Sequence, residues 1–473
     1  MADVEEVKLH APDEAALMLP SLHDEDDHLN PAFVEAVTQA VEANDIDRLK
    51  LLTYDFHESD FGEILEALDA EHRPRLIELL GPDFDFTALT EVDDSVREAI
   101  LDDLGSAAVA EGVRDLDTDD AVYILEDLDE TEQAEILDKL PAPERIVLAR
   151  ALEYPEDSAG RLMQSEFIAV PPFWSVGQTI DFMRETEDLP DTFYEIFVTD
   201  PAGKLIGAVP LDKLLRSKRP TIVSDIMTGE PDTVEANEPQ DDVAHLFQRY
   251  NLVSAAVTDE DGRLVGVITI DDVVDVIEEE ADADIKALGG VMADEEISDS
   301  VRAILKSRFT WLFINLCMAL IAANVIGSFS HSLEKMVALA VLMPMVASMG
   351  GNAATQTMTV AVRALATREL GRNNTWRIVR RELLVGLCNG LAFATLMGSI
   401  AIIWFGVPSL GPVLGAAVIA TMLVAAFGGI IIPLTLEYFK VDPAVSSGPL
   451  VTTVTDIVGF FAFLGIATLW FGL

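Results

Sequence analysis

The chain has 473 residues, half of them hydrophobic, and its 82 acidic and 31 basic side chains give a formal net charge of -51. Residues before 301 carry 76 of the acidic and 20 of the basic side chains. This asymmetry excludes one uniform globular domain, and like-charge repulsion argues against a nucleic-acid partner. Two explanations of the acidity stay open: an electrostatic sink for cations, or adaptation to high salt.

The first 30 residues are rich in Asp, Glu, His and Pro and predict a disordered acidic leader. They lack the basic start and apolar core of a cleavable secretory signal, so none is expected. The HDEDDH segment, His23 to His28, contains metal-ligating residue types, but a solvated leader is favoured there. Both cysteines lie inside apolar stretches, so neither a disulfide framework nor a Cys-based zinc site is expected.

Helical periodicity dominates the next part of the chain. Apolar residues recur three or four apart, with breaks at Gly81-Pro82 and Pro141. The stretch EILEALDAEHRPRLIELL resembles the later YILEDLDETEQAEILDKL. Repeated helical pairs stack into a superhelical array rather than a closed core. We therefore predict an all-helical, superhelical N-domain over residues 31–155.

A stronger duplication occurs within residues 156–277, where VTDPAGKLIGAVPLDKLL is followed by VTDEDGRLVGVITIDDVV. Each copy predicts a strand, a glycine turn, a second strand and a helix. The pair resembles tandem CBS domains, a family of α/β modules that often sense adenine nucleotides. The resemblance implies that Thr269 and Asp272 contact a ribose, with ATP as a regulatory ligand, whereas the first copy has Pro210 in place of the hydroxyl. Alternatively, Thr269 and Asp272 only cap the following helix.

Five apolar segments follow within residues 306–473, and each is long enough to span a bilayer. Their approximate bounds are 310–329, 336–361, 383–406, 411–436 and 449–471. An odd number of spans places the termini on opposite sides. If the N-terminus is cytosolic and the C-terminus is outside, Lys335 is the only basic residue in the outside loops. This distribution satisfies the positive-inside rule for a cell membrane. The basic residues inside are Arg302, Lys306, Arg308, Arg363, Arg368, Arg372, Arg377, Arg380, Arg381 and Lys440.

Asp456 is the only ionisable residue that lies well away from the ends of these segments. A carboxylate at membrane depth is costly unless it faces water, a partner or a cation, so it indicates a functional site. Thr452 and Thr453 lie four and three residues earlier on the same helical face, and the three side chains predict an oxygen-lined strip. The alternative is an aspartate at a helix interface that is hydrogen-bonded to the threonine hydroxyls.

The second segment, MPMVASMGGNAATQTMTV, is polar where a lipid-facing helix would be uniformly apolar. Gly350 and Gly351 can loosen the helix, and Asn352 and Gln356 share one face. Polar or loosened backbone at this depth is tolerated when it lines a cavity, so these four residues are pore-lining candidates. Close packing through small residues is the competing explanation.

The order of these parts, together with the motifs DSAGRLM, SMGGNAATQTMTVAVRALATREL and GPLVTTVTDIVGF, resembles the MgtE family of magnesium channels over roughly residues 30 to 473. The resemblance implies a homodimer with the pore on its axis, in which Asp456 binds hydrated Mg²⁺. Because Mg²⁺ loses its waters reluctantly, a pore should hold it with few carboxylates, which agrees with that role. Ala354 stands where the family usually has Gly.

The resemblance also implies a connecting plug helix, assigned to residues 278–305, that closes the pore when cytosolic Mg²⁺ bridges its acids to the N-domain and the CBS module. The implied regulatory ligands are Asp119, Asp120, Asp271, Asp272, Asp275, Glu280 and Asp284. Clustered carboxylates repel one another without metal, and divalent ions cancel the repulsion. For each of these acids the alternative is a solvated, charged helix face.

The sequence therefore predicts a Mg²⁺ channel in the bilayer, with Mg²⁺ as both substrate and regulator. A carrier for Mn²⁺ or Co²⁺, a proton-coupled carrier and a membrane-tethered sensor that conducts nothing stay open as alternatives. An enzyme is not expected, because the seven histidines are scattered and the sequence shows neither an H-E-x-x-H motif nor a nucleophile-base-acid grouping.

Overall fold

A computed structural model describes residues 20–473 except 27, 55, 127, 187–188, 191, 294, 296–299 and 371–373. The chain forms two compact units, Met1–Ile277 and Glu278–Leu473. Most of the predicted leader, residues 1–19, lies outside the described part. Its described residues, 20–26 and 28–30, are ordered and so differ from the predicted disordered leader. The apolar side chain of Leu22 packs on the helical core, and its carbonyl oxygen accepts a 2.8 Å hydrogen bond from the amide of Asn30.

The first unit begins with short helices, as the periodicity predicted. They are α1 (Pro31–Ala43), α2 (Ile46–Leu52), α3 (Glu58–Ala67), α4 (Arg73–Leu80), α5 (Asp94–Leu104), α6 (Ser106–Val113), α7 (Thr118–Glu126), α8 (Glu130–Leu137) and α9 (Ala142–Ala151). Their apolar faces share one core that includes Val37, Ile64 and Ile124. The apolar repeat read from the sequence is therefore the buried face of these helices.

The duplicated region forms two three-stranded sheets of the same topology. Their elements are β1 (Ala169–Val170), α10 (Val176–Glu185), β2 (Glu195–Thr199), β3 (Leu205–Pro210), α11 (Leu211–Arg216), α12 (Val223–Ile226), β4 (Thr233–Glu235), α13 (Gln240–Tyr250), β5 (Ser254–Thr258) and β6 (Leu264–Thr269). In each sheet the first pair of strands is parallel and the second is antiparallel. The register shifts at Val198/Thr199 in one sheet and at Val257/Thr258 in the other, so the duplication extends to local backbone geometry.

The connecting helix differs from the predicted 278–305. Helix α14 (Ile270–Leu288) follows β6 directly and ends at Leu288. Gly290 adopts φ +75°, and the amide of Val291 donates to the carbonyl of Lys286 at 3.0 Å, which is typical of a glycine-terminated helix. The next helix begins after Ser300, whose hydroxyl accepts from the amide of Ala303.

The second unit contains five helices that are long and apolar enough to cross a membrane, as predicted. The helices of this unit that follow α14 are α15 (Val301–Gly327), α16 (Ser330–Lys335), α17 (Val337–Ala366), α18 (Thr375–Phe405), α19 (Leu410–Tyr438) and α20 (Pro443–Phe471). The most buried span is α19, which packs against α17, α18 and α20. Arg372, which contributed to the predicted charge bias, lies outside the described residues.

Two adjacent glycines of α17 have different surroundings. A Cβ atom on Gly350 would lie 2.4 Å from Cγ2 of Thr421 on α19, whereas one on Gly351 would meet nothing within 4 Å. Gly350 is buried and permits close helix packing, so it does not line an open surface in this structure. Of the two explanations for Gly350, the structure favours packing.

Gly350→Ala should lower the thermal stability of the purified protein, and Gly351→Ala should not. Both substitutions gain about 0.5–1 kcal/mol of helix propensity, but only the first adds a methyl group to a filled contact, which costs about 1–3 kcal/mol. Thermal unfolding in detergent measures the difference. Thr421→Ser removes the opposing methyl and should rescue Gly350→Ala. Equal melting temperatures for the two alanine variants would contradict the packing assignment.

Candidate ion pathway and acidic cluster

Asp456 lies near the middle of α20, and its side chain is half-buried. The hydroxyl of Thr452 donates to the carbonyl oxygens of Gly448 and Pro449, at 2.9 and 3.2 Å. Since a hydroxyl has one proton, that of Thr452 does not bond to Asp456. The hydroxyl bonds of Thr455 likewise end on the α20 backbone. The carboxylate is thus available to a cation or to water.

The polar residues of α17 lie on an exposed face. Asn352 and Gln356 are exposed, and so are Ser348 and Pro344, one and two turns before Asn352. Among the residues that the structure describes, neither amide side chain has a hydrogen-bond partner. Amide groups facing hydrocarbon would lose their hydrogen bonds to water, so this face requires water or protein beside it. Gly351 is half-buried, and Thr453 is half-buried on α20.

Four of the predicted regulatory acids meet inside the first unit. Asp119 and Asp120 lie in the first turn of α7, and Asp271 and Asp272 lie in the first turn of α14. We call these four residues the acidic cluster. Asp119 is 6 % exposed, and its buried Oδ2 has no hydrogen-bond partner in the described part of the chain. A buried carboxylate oxygen without a donor is costly and suits a bound cation.

Burial and the charges of neighbouring acids raise the pKa values of Asp119, Asp120 and Asp272. Burial, reinforced by the charge of Asp271, raises the pKa of Asp272 to about 7. Burial, together with the charge of Asp117, raises the pKa of Asp120 to about 7. The pKa of Asp119 is raised well above its usual range by burial and then by Asp272. All these shifts mean that the ionised forms are unfavourable here unless a positive charge accompanies them.

The remaining predicted acids do not join this cluster. Asp275 and Glu280 are exposed on α14. Asp284 belongs to the second unit, where burial and the nearby Asp442 raise its pKa while Arg363 lowers it. Asp442 was missed in the sequence, where its only signal was an Asp-Pro pair before a long apolar stretch. It caps α20, because its Oδ1 accepts from the amide of Ala444 at 2.7 Å.

The residues predicted to bind a nucleotide are adjacent. The hydroxyl of Thr269 donates to Asp272 at 3.0 Å and to Asp271. Thr269 also lines a narrow cavity of about 10 Å³ between the two repeats, together with Glu195 and Ser254. That volume holds about one water molecule, so a nucleotide would require the cleft to widen.

The described residues contain no group of three metal-ligating side chains close enough to hold an ion as they stand.

Comparison with known proteins assigns the family. Residues 343–466 match MgtE, described as a divalent cation transporter, residues 56–157 match the MgtE intracellular N domain, and residues 159–219 and 223–279 match the CBS domain. The magnesium transporter MgtE of Thermus thermophilus is 31 % identical over 92 % of this chain and 97 % of its own length. The chain belongs to the MgtE family. Its predicted fold, an N-domain, tandem CBS domains and five apolar spans, is confirmed.

The chain is also similar to one further curated protein and to two solved structures. The magnesium transporter MgtE of Bacillus subtilis is 29 % identical over 86 % of this chain and 91 % of its own. A crystal structure of the soluble part of a magnesium transporter is 25 % identical, covers 53 % of this chain and 98 % of its own, and has a TM-score of 0.48. The cytosolic domain of the Mg²⁺ channel MgtE in complex with ATP is 29 % identical, covers 51 % and 99 %, and has the same TM-score.

Without metal, the thermal stability of the protein should fall as pH rises from about 4 to about 7. The folded-state pKa values of Asp120 and Asp272, about 7, exceed their ordinary value of 3.8. The folded protein therefore binds more protons between these values, and that stabilisation is lost as pH rises through about 7. Unfolding of the full-length protein in EDTA measures the trend, and Mg²⁺ at the high-pH end should restore stability.

Asp272→Asn should flatten this pH dependence, because it removes one of the titrating groups. The exposed Asp212→Asn is the matched control for the loss of one carboxylate and should retain the wild-type slope. An unchanged slope in Asp272→Asn would place the titration outside the acidic cluster.

Proposed function

We propose that this magnesium transporter of the MgtE family is a homodimeric channel through which Mg²⁺ enters the cell, and that cytosolic Mg²⁺ closes it. The observation that carries the proposal is Asp456, a half-buried carboxylate in the middle of a spanning helix whose neighbouring Thr452 hydroxyl is bonded to backbone. Relatives of nearly full length are named magnesium transporters.

The chemistry of Mg²⁺ suits a site with one carboxylate from each subunit. Because the ion releases its waters reluctantly, two Asp456 side chains related by the dimer axis would neutralise it while it stays hydrated. Gly351, Asn352, Gln356 and Thr453 would offer polar groups to the hydration shell. An interior-negative membrane potential contributes about 2.3 kcal/mol per elementary charge per 100 mV, twice that for a divalent ion, so influx needs no ATP hydrolysis.

The acidic cluster supplies the regulatory element. Asp119 and Asp120 lie on a helix of the N-domain, and Asp271 and Asp272 lie on the helix that leads towards the membrane domain. A divalent ion between these helices relieves the repulsion among their carboxylates, and so stabilises the compact first unit, which we call the head. Asp284 and Asp442 form a second pair of neighbouring acids, in the membrane unit, that a divalent ion would stabilise in the same way. Asp275 and Glu280 remain proposed ligands at the exposed face of α14.

The topology follows from charge. The basic residues in the first two turns of α15 belong on the cytosolic side, together with those at the end of α17, at the start of α18 and between these two helices. This places the N-terminus in the cytosol and the C-terminus outside. The cleft lined by Thr269, whose hydroxyl is bonded to Asp272, is the proposed ATP site, by likeness to the relative that was crystallised with ATP. Because the hydroxyl of Thr269 also holds two acids of the cluster, a nucleotide there would act on the metal site directly.

Asp456→Asn should reduce Mg²⁺ uptake into proteoliposomes to the level of protein-free vesicles. The vesicles hold an inward-negative potential and a Mg²⁺-sensitive dye, and their lumen starts free of Mg²⁺, so channels whose heads face inwards begin open. Glu334→Gln, which removes one exposed carboxylate from α16, is the matched control and should conduct as wild type does. Equal uptake by Asp456→Asn and wild type would exclude Asp456 as the pore ligand.

The same vesicles separate the alternative functions. Mn²⁺ or Co²⁺ uptake that exceeds Mg²⁺ uptake would contradict Mg²⁺ selectivity. Uptake that requires a proton gradient would indicate a coupled carrier. If wild type conducts no ion even with a metal-free head, the chain is a sensor and not a channel.

A further inference from the structure

The segment 157–166, at the start of the first CBS repeat, is fixed to the second repeat. The amides of Ala159, Gly160 and Gln164 each donate to a backbone carbonyl of that repeat at 2.8 Å. At Gly160 any Cβ would lie 2.4 Å from the ring of Tyr154, so the segment can approach this closely only with glycine. These contacts give the charged side chains of the segment a rigid base.

One of these side chains holds the beginning of α7. The carboxylate of Glu166 accepts from the hydroxyl of Thr118 at 2.8 and 3.0 Å and from the amide of Thr118 at 3.3 Å. Thr118 is 3 % exposed, so little water competes for these bonds. Hydrogen bonds to an ionised acceptor are stronger than those between neutral groups, and burial strengthens them further.

A second side chain of the segment holds the end of α7. The guanidinium of Arg161 lies 3.1 Å from Oε2 of Glu126, the last residue of α7, and both side chains are largely buried. The same guanidinium donates to the carbonyl oxygens of Leu152 and Tyr154 at 2.9 Å each, which fixes its orientation. A buried, multiply bonded ion pair of this kind contributes more than a flexible surface pair.

The helix held at both ends carries half of the acidic cluster. Asp119 follows Thr118 directly and lies against Asp272, and both are charged only at a cost. Repulsion across the cluster pushes α7 away from the CBS module, and the two polar contacts oppose that push without any metal. The strength of the contacts then determines how much attraction Mg²⁺ must add.

We propose that Glu166–Thr118 and Arg161–Glu126 form a metal-independent clasp on α7, and that this clasp sets the Mg²⁺ concentration at which the head closes. The proposal rests on the proposed regulation by Mg²⁺ and adds the residues that position its ligands. Weakening either end of the clasp shifts closure to higher Mg²⁺ without removing a metal ligand.

Hydrogen–deuterium exchange of the full-length protein in detergent, read from α7 peptides across a Mg²⁺ titration, tests the clasp. Thr118→Val and Glu126→Gln should each raise the half-point of Mg²⁺-induced protection by about threefold to tenfold, the loss of one buried charge-assisted bond. Thr118→Ser keeps the hydroxyl and should restore the wild-type half-point. Asp181→Asn breaks an exposed ion pair with Arg219 inside the CBS module and should leave the half-point unchanged.

Two results would overturn the clasp while leaving Mg²⁺ regulation intact. The first is a wild-type half-point in both Thr118→Val and Glu126→Gln. The second is α7 exchange that stays fast in these variants at saturating Mg²⁺, which would assign the contacts to the folding of α7 alone. If instead wild-type α7 shows no response to Mg²⁺, the proposed regulation fails, and the clasp fails with it.

Discussion

Repulsion between desolvated carboxylates is the constraint on which the head of this protein depends. Asp119, Asp120 and Asp272 sit where burial makes their charge unfavourable, and each is surrounded by further acids. A fold that gathers such groups must supply compensation from protons, from cations or from opposing contacts. The structure contains opposing contacts at both ends of α7, and the proposed binding of Mg²⁺ would supply the cation. Under that proposal, sensitivity to a divalent ion depends on the balance between the repulsion and these two sources of compensation.

The membrane unit contains far fewer carboxylates, and its spanning helices hold only Asp456 well away from their ends. Its spanning helices pack through glycines such as Gly350, Gly386 and Gly429, where a side chain would collide with a neighbouring helix. Asp456 lies outside these tight contacts, and its neighbouring hydroxyls are bonded to their own helix. Close packing thus uses the glycines of these helices and leaves Asp456 out of the helix contacts. The proposed ion pathway uses Asp456 and the polar face of α17 instead.

The sequence predicted the fold well because its signals were local. Period-3.6 apolar repeats, the duplicated strand-turn-strand units and five long apolar stretches each specify their own element. It was less accurate where a boundary depends on tertiary packing. Leu22 looked like part of a solvated leader but is anchored on a core formed by residues far along the chain. The connecting helix was placed too late, because a continuous acidic pattern does not mark where a strand gives way to a helix.

Site prediction had a similar limit. The acids of α7 and α14 were identified separately, and the structure brings four of them together, yet leaves Asp275 and Glu280 exposed. Asp442 escaped notice, since one acid before a proline resembles an ordinary helix start. Arg161 and Glu166 carried no sequence signal for their role, because their partners lie 35 and 48 residues away. Pairings of that kind arise only when the segment between them has folded.

The nineteen residues of α14 include neither glycine nor proline. Such a helix behaves as a stiff rod about 28 Å long at 1.5 Å per residue. Its first turn carries Asp271 and Asp272, and its last two turns carry Asp284 and Lys286. With neither glycine nor proline along its length, a small tilt of one end of this rod gives a larger sideways displacement of its other end. A change of charge at the first turn of α14 can thus reach its last turn without any refolding of the helix.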